Sequence, residues 1–294
     1  MGAASPTNLE SRLLHHLKEL ARNPRTPQST GHRESRRYLV ATLQRAGFAV
    51  DEHRFEGPGF DGFNILTRPI PERTELPLLV IGAHYDSVPA SPGADDNASG
   101  VAALLALADH VHRQRSAVDK WTCRLQLAAY DLEEFGILGS WIHARELKAA
   151  GVRLRGMIAL EMLAYTDHRR GSQRLPPHLA GVYPDVGIFI GLCGNEASRD
   201  FVQLVEAGMR SIEGLPVESL LVPGAGEEIS EVRLSDHSSF WDAGYPALMI
   251  TDTSFFRNPH YHRETDTIET LDLGFLERVT RGLREAVDRT VKTA

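Results

Sequence analysis

Cysteine is scarce in this sequence. The chain of 294 residues contains two cysteines, Cys123 and Cys193, and each lies within an apolar run. A disulfide framework needs more cysteines than this, and a zinc site built from thiolates does too. We therefore expect two buried free thiols, and we expect any metal site to use other ligands.

Long hydrophobic runs and an excess of basic charge are also missing. The apolar runs have strand length, well short of the ~20 residues that cross a bilayer, and residues 1–6 contain no apolar signal core. The net charge is -7, whereas a generic nucleic-acid binder shows a basic face. We expect no membrane and no nucleic acid among the partners. The expected location is cytoplasmic if the sequence starts at the natural N-terminus, and secreted if a leader has been removed.

Apolar runs and helical periodicities alternate along the chain, which is typical of an α/β fold. The predicted strands are residues 48–55, 63–67, 78–83, 124–130, 156–160, 186–192 and 247–252. The predicted helices are residues 8–22, 29–46, 98–108, 136–149, 195–212 and 271–291. Residues 164–186 and 214–236 are predicted to be irregular excursions. Because no internal repeat or long linker divides the chain, we expect residues 1–294 to form a single domain, with a mixed, mostly parallel central sheet sandwiched between helices.

The most informative stretch begins with the apolar run 78–83, which ends at His84. A Gly/Pro-rich loop follows and carries Asp95 and Asp96 into a helix of small residues. Open α/β sheets place their sites at the carboxyl ends of strands, so this position suits a metal ligand. Asp86 lies on the same side of the extended chain as His84, where it can hold the second ring nitrogen. Taken alone, a surface turn with helix-capping aspartates explains this stretch equally well.

Three carboxylates follow the next apolar strand: Asp131, Glu133 and Glu134. Close carboxylates repel one another and lose solvation when they are buried, so we expect a cation near them. The alternative is an acidic helix start, which the helix dipole favours. Adjacent glutamates also suit a division of labour, in which one ligates a metal and the other takes a proton from metal-bound water.

Two further candidates complete a set of possible ligands. Glu161 ends the predicted strand 156–160, and His262 lies in the loop after the last strand. His262 and Asp266 repeat the pairing of a histidine with a carboxylate. Nitrogen and carboxylate ligands without thiolate favour zinc, with cobalt or manganese as substitutes. If one carboxylate bridges, such a set holds two metals about 3.5–4 Å apart. The complete set is His84, Asp96, Glu134, Glu161 and His262.

Six segments together resemble motifs of the M28 family of zinc peptidases, which includes bacterial co-catalytic zinc aminopeptidases. They are residues 82–88 (GAHYDSV), 93–100 (GADDNASG), 133–140 (EEFGILGS), 160–162 (LEM), 235–240 (SDHSSF) and 261–267 (YHRETDT). These segments occur in the family's order and the resemblance covers roughly residues 30–275. The resemblance implies the zinc-peptidase fold and a metal-dependent hydrolase.

The resemblance also implies a role for each candidate ligand. Asp96 would bridge two zinc ions, with a cis peptide bond to the residue that follows it. His84 and Glu161 would complete one metal site, and Glu134 and His262 would complete the other. Aminopeptidases of the family often have aspartate where this chain has Glu161, which leaves one zinc ion open as an alternative to two.

The chemical roles follow from the same resemblance. Glu133 would act as the general base and later as the acid. Asp86 would orient His84. Tyr261 matches a tyrosine that hydrogen-bonds the oxyanion in some relatives.

Three functions are open at this point. The first is hydrolysis of an N-terminal peptide or amide bond, with a peptide or aminoacyl amide as the substrate. The second is aminoacyl transfer by the glutaminyl-cyclase branch of the fold, which uses one zinc ion. The third is a non-catalytic binding module, as in receptor relatives, although those have typically lost ligands or the base that this chain retains. The side-chain pocket is expected to draw on the two excursions and on Phe240, Phe255 and Phe256.

Overall fold

The structure is a computed structural model that describes residues 8–176, 179 and 181–293. The strands are β1 (Val50–Glu56), β2 (Asp61–Thr67), β3 (Leu78–His84), β4 (Arg124–Tyr130), β5 (Leu154–Glu161), β6 (Ile190–Asn195), β7 (Val217–Val222) and β8 (Ala247–Thr251). The helices are α1 (Asn8–Leu20), α2 (Thr30–Arg45), α3 (Gly100–Arg113), α4 (Leu138–Ala149), α5 (Arg199–Met209), α6 (His237–Asp242) and α7 (Leu273–Lys292).

The strands form one sheet in the order β1-β2-β4-β3-β5-β8-β6-β7. The four central strands, from β4 to β8, run parallel to one another. β3 is buried along its whole length, which explains why its sequence is an unbroken apolar run. The hairpin of β1 and β2 joins β4 antiparallel, while β6 pairs antiparallel with β8 and parallel with β7. The expected mixed, mostly parallel sheet is confirmed.

Alternate residues of β3 belong to two separate apolar layers. Leu79 and Ile81 pack with residues of α1, α3, α5 and α7 on one face of the sheet. Leu78 and Val80 pack with residues of α4 and α6 on the other face. The sheet therefore lies between two helical layers, as the sequence predicts, because side chains of a strand point alternately to its two faces.

Both cysteines, Cys123 and Cys193, are buried free thiols, as expected. Within the described part of the chain, no helix combines the length and the apolar character needed to cross a bilayer.

The predictions for the strands between residues 186 and 236 are partly wrong. The expected strand 186–192 begins later, at Ile190 of β6, because Gly187 bridges to Asp167 of the preceding excursion. The expected irregular excursion 214–236 contains β7. This strand lies at the edge of the sheet, and its mostly half-buried residues show no alternation of apolar and polar positions.

The expected helix 195–212 is shorter in the structure and forms α5. The side chain of Asn195 accepts a hydrogen bond of 3.0 Å from the N–H of Ser198 and caps a separate short turn before the helix. Asparagine favours such a cap because its side-chain oxygen satisfies a backbone donor.

Candidate metal centre

The parallel centre of the sheet brings the candidate ligands to one edge. β3 ends at His84, β5 ends at Glu161, and Glu134 follows the end of β4. Asp96 lies in the loop between β3 and α3, and His262 lies in the loop between β8 and α7. Because the carboxyl ends of parallel strands share one edge of the sheet, five residues that are distant in the sequence become neighbours.

Asp96 lies between the two histidines. Its Oδ1 is 3.3 Å from Nε2 of His84, and its Oδ2 is 3.2 Å from Nε2 of His262. Each histidine also has a glutamate of its own. Oε2 of Glu161 is 3.4 Å from Nε2 of His84, and Oε2 of Glu134 is 3.0 Å from Nε2 of His262. The centre therefore consists of two histidine–glutamate pairs that share one aspartate.

The chemistry of these side chains fits a metal ion. Among the described residues, neither ring nitrogen of His84 has a hydrogen-bond partner, and Oε1 of Glu134 has none. Buried polar atoms are nearly always satisfied in folded proteins, so such atoms suit a role as metal ligands. His84, Asp96 and Glu134 each place one ligand atom within 4.8 Å of the others. Imidazole nitrogen and carboxylate oxygen are both ligands of zinc.

The pKa values of the histidines reflect a competition between burial and charge in the metal-free centre. Burial favours the neutral form of His84, but the charges of Glu161 and Glu133 outweigh it and raise its pKa well above the ordinary value. Burial opposes the charge of His262 as well. Its hydrogen bonds with two carboxylates of the centre nevertheless raise its pKa to about 10.

The carboxylates of the centre shift in opposite directions. Burial and the charge of Asp96 raise the pKa of Glu134 to about 7. Burial raises the pKa of Glu133 well above its ordinary value. Asp96 is also buried, but its close contacts with the rings of His262 and His84 outweigh burial and lower its pKa. Asp96 is therefore the anion around which the metal-free centre is arranged.

Zinc binding at pH 7 is expected to release protons. The raised pKa values of both histidines favour their protonated forms in the metal-free protein, and a histidine nitrogen binds metal only after it has lost its proton. The ligand Glu134, with a pKa raised to about 7, contributes protons as well. Loading the centre should therefore release protons, and zinc affinity should rise with pH. Calorimetric titration in two buffers of different ionisation enthalpy measures the number of protons released. Zinc binding without proton release would contradict the assignment of His84 and His262 as ligands.

Asp86 connects β3 to the glutamate pair. Its Oδ1 is 3.5 Å from Nδ1 of His84. Its two oxygens accept hydrogen bonds of 3.1 Å each from the backbone N–H groups of Glu133 and Glu134. One carboxylate thus contacts both a candidate ligand and the turn that carries the glutamates. This geometry suits the predicted orienting role, because metal-binding histidines usually have such a partner.

Asp266 makes different contacts from those predicted. The sequence suggests a pairing with His262, but the Asp266 carboxylate accepts hydrogen bonds from the backbone N–H groups of Asp95 (2.9 Å) and Asp96 (3.1 Å). His262 has a left-handed backbone with φ of 57°, and its ring stacks on Tyr261 with centroids 3.8 Å apart. Asp266 therefore holds the loop that carries Asp96.

The peptide bond between Asp96 and Asn97 is cis, as expected. The side-chain amide of Asn97 donates to the carbonyl of Leu160 (2.8 Å), and its oxygen accepts from the N–H of Met162 (3.1 Å). The loop of Asp96 is thereby tied to the end of β5, the strand that carries Glu161.

Asp131, the first of the three carboxylates that were expected near a cation, is satisfied elsewhere. Its Oδ1 is 2.8 Å from Nε2 of His32. Its Oδ2 accepts hydrogen bonds from the Tyr85 hydroxyl (2.9 Å) and from the backbone N–H of Phe63 (2.8 Å). The expectation of a nearby cation is therefore wrong for Asp131, because these three contacts already satisfy its carboxylate oxygens.

Three residues around the centre escape the sequence analysis. The buried guanidinium of Arg25 donates to the carbonyls of residues 92–93 and supports the Asp96 loop. The hydroxyl of Ser235 donates to Oε2 of Glu161 at 2.7 Å. Asp236 is fully buried, its oxygens have no hydrogen-bond partner in the described structure, and burial raises its pKa to about 7. The only signal for Ser235 and Asp236 is their place in the segment 235–240.

Glu133 and Tyr261 line a cavity beside the centre. Oε2 of Glu133 is 4.0 Å from Nε2 of His84, farther than the oxygens of Asp96 and Glu161. Burial raises the pKa of Tyr261, so its hydroxyl keeps its proton at neutral pH and can donate a hydrogen bond.

The cavity has a volume of about 370 Å³, and most of its lining is apolar. Residues of both expected excursions line it, together with Phe255 and Phe256, as predicted. Phe240 does not line it, because this side chain is buried between the sheet and the α4–α6 layer. Strand residues such as Gly191 and Met249 also line the cavity, and no pattern in the sequence indicates them.

The model of peptidase family M28 matches residues 64–287, well over half of the chain. The chain belongs to this family. The resemblance that the six segments indicate is confirmed, and membership of this family of zinc peptidases implies zinc as the metal.

Two relatives illustrate the similarity in sequence. The chain is 36% identical over 295 residues to the uncharacterized protein YfbL of Escherichia coli (strain K12), with 95% of this chain and 87% of YfbL covered. It is 24% identical over 226 residues to a probable leucine aminopeptidase of Arthroderma otae, with 74% of this chain and 54% of that protein covered. The chain thus spans about half the length of the second relative.

Two solved structures illustrate the similarity in fold. The zinc aminopeptidase BSAP from Bacillus subtilis matches with a TM-score of 0.75 and 15% identity, over 97% of this chain and 95% of that chain. A glutaminyl cyclase from Porphyromonas gingivalis matches with a TM-score of 0.70 and 20% identity, over 96% of this chain and 99% of that chain. The M28 chain therefore shares its fold with both.

Proposed function

We propose that this M28 protein is a zinc-dependent aminopeptidase that removes the N-terminal residue of peptides. The observation that carries the proposal is the shared aspartate: Asp96 lies between two histidine–glutamate pairs, next to Glu133 and an apolar cavity. Side chains suited to metal binding, proton transfer and side-chain recognition thus lie together at one edge of the sheet.

The ligands divide into two groups around Asp96. His84, Asp96 and Glu161 would hold one zinc ion, and Glu134 and His262 would hold a second together with Asp96. The placement of one Asp96 oxygen towards each histidine supports two ions. One ion is the alternative, because Glu161 stands where family aminopeptidases often have aspartate.

When held by these residues, zinc would supply Lewis-acid chemistry: it would polarise the scissile carbonyl and lower the pKa of the attacking water towards ~7. Glu133 is suited to move the proton, because it faces the cavity and lies farther from His84 than the ligand oxygens do. Its carboxylate takes a proton from the attacking water and delivers it to the leaving amine. The Tyr261 hydroxyl donates a hydrogen bond to the carbonyl oxygen as negative charge develops there.

The free N-terminus of the substrate is recognised by its charge. Bound zinc would offset the charge of the ligands Asp96, Glu134 and Glu161. Glu133, Glu218 and Glu231 are the lining carboxylates that are not assigned to the metal, and none of the described lining residues is basic. These three charges attract a protonated terminal amine, whereas an acetylated terminus gains nothing from them.

The test combines metal analysis with hydrolysis. Zinc per protein is measured by mass spectrometry, and cleavage of Leu-, Ala- and Arg-p-nitroanilide is measured before and after chelation. About two zinc ions and cleavage that stops on chelation and returns with added zinc are the expected results. A protein that stays metal-free under conditions that load zinc would overturn the ligand assignment.

Cyclisation of N-terminal glutamine is the second candidate. The similarity in fold to a glutaminyl cyclase favours it, and the adjacent glutamates Glu133 and Glu134 suit it too. The same zinc-loaded protein is incubated with a glutaminyl peptide, and the product is examined for loss of ammonia. One zinc ion with cyclisation and no p-nitroanilide cleavage would replace the aminopeptidase proposal with this one. Zinc binding without either reaction would favour the non-catalytic binding module.

Gly191 is expected to control the size of the side chain that the cavity accepts. A Cβ at this position would lie 3.3 Å from the carbonyl oxygen of Thr251, which is a tight contact, and 3.6 Å or more from the nearest methyl groups. Because Gly191 lines the cavity, the rest of a larger side chain would extend into it. Gly191→Val should lower kcat/KM for Leu-p-nitroanilide about 10- to 100-fold, because a few methyl groups in such a pocket are worth this much. It should change Ala-p-nitroanilide cleavage much less. Equal losses on both substrates, at unchanged zinc content, would contradict this role.

A further inference from the structure

The register of the sheet shows how the floor of the cavity is built. Glu161 of β5 is paired with Thr251 of β8, Thr251 with Gly191 of β6, and Gly191 with Glu218 of β7. Residues paired in register point to the same face of a sheet, and all four line the cavity. This row therefore runs from the candidate ligand Glu161 to the carboxylate of Glu218.

The length of the row suits a long side chain. Three inter-strand spacings separate Glu161 from Glu218, which is about 14 Å between their Cα atoms. Gly191 lies in the middle of the row and contributes no side chain, so the space between the two glutamates stays open. A second row, made of Met249, Cys193 and Leu220, runs beside it and is apolar.

Glu218 is the charged group at the far end of this apolar surface. It is half-buried, and the hydrogen bonds and ion pairs of the described residues include none to its carboxylate. Burial raises the pKa of the Tyr183 hydroxyl, and the nearby charge of Glu218 raises it further. Glu231 also lines the cavity, but it is exposed, and its carboxylate accepts a hydrogen bond from Ser230 at 3.1 Å.

We propose that the cavity selects substrates with an N-terminal arginine or lysine, whose cationic end pairs with Glu218. This inference rests on the proposed aminopeptidase function. The aliphatic stem of either side chain covers the apolar rows, and the cation reaches the carboxylate beyond them. An apolar side chain of the same length would cover the rows equally well, but it would desolvate Glu218 without pairing it.

The test is the ratio of kcat/KM for Arg-p-nitroanilide to that for norleucine-p-nitroanilide. Norleucine is the matched substrate because it has an unbranched stem without a charge. The unmodified protein should prefer arginine, and Glu218→Gln should lower the ratio about 10- to 100-fold, the usual effect of losing a charged hydrogen-bond partner. Glu228→Gln removes an exposed charge outside the cavity and should leave the ratio unchanged.

Binding separates recognition from turnover. In a Glu133→Gln background, calorimetry measures the Kd of arginine amide and of norleucine amide. The protein should bind arginine amide more tightly, and Glu218→Gln should reduce this preference. Cleavage of norleucine-p-nitroanilide with no preference for arginine, or a ratio that Glu218→Gln leaves unchanged, would overturn the inference while the aminopeptidase proposal stands. A ratio that falls only in Glu231→Gln would overturn it too. If zinc-loaded protein cleaved no aminoacyl substrate at all, this would contradict both the inference and the aminopeptidase proposal.

Discussion

Glu133→Gln is expected to lower kcat about 10²- to 10⁴-fold, which is the range for loss of a general acid–base group. The substitution keeps the shape of the side chain and removes the site that accepts the proton. Because Glu133 is assigned both the first and the second proton transfer, we expect a loss near the upper end of this range. Steady-state kinetics on Leu-p-nitroanilide, in zinc-saturated buffer, measures the loss.

The zinc content of the variant decides what the loss means. Glu133 lies 4.0 Å from His84 Nε2 and is not assigned as a ligand, so Glu133→Gln should bind as much zinc as the unmodified protein. Glu134→Gln is the matched control. Its carboxylate lies 3.0 Å from His262 Nε2, so this variant should lose zinc and activity together. Full turnover in Glu133→Gln, or loss of zinc from it, would exclude the assigned base role.

The position of the centre is predictable because its ligands follow unbroken apolar runs. Such runs indicate strands that are covered on both faces, and charged residues at the carboxyl ends of parallel strands meet at one edge. His84 and Glu161 both fit this rule, since each is the last residue of a central strand. The rule also places Asp131 at this edge, but it does not predict the partners of its carboxylate, which are His32 and Tyr85.

The surroundings of the centre are less predictable because they depend on backbone contacts between distant segments. Asp266 bonds to the N–H groups of Asp95 and Asp96, and Arg25 bonds to backbone carbonyls. Backbone groups are the same at every position, so no residue type marks the partner. The cavity floor depends in addition on the register of β7, an edge strand without a clear pattern. The pairing of Gly191 with Glu218 is therefore visible only in the folded chain.

Asp96→Asn is expected to abolish activity and to remove most of the zinc. Asp96 is the side chain shared by both histidine–glutamate pairs, with one oxygen towards each histidine. An asparagine offers one neutral oxygen and turns an N–H₂ group towards the other position, where it cannot ligate a metal. The backbone of the loop should stay in place, because Asp266 holds it through N–H groups that the substitution leaves unchanged.

Thermal unfolding with and without zinc provides a readout that does not depend on turnover. Zinc at 100 times its Kd stabilises a folded protein by about 2.7 kcal/mol, because it binds the folded state. This gain should be present in the unmodified protein and close to absent in Asp96→Asn. Asp95→Asn is the control in the same loop. The Asp95 carboxylate accepts hydrogen bonds from the N–H of Ala164 and the side-chain amide of Asn258. Burial and the charge of Asp252 raise its pKa. That variant should keep the gain from zinc even if its metal-free stability changes. If Asp96→Asn kept two zinc ions and the full gain, the centre could not be organised around a shared aspartate.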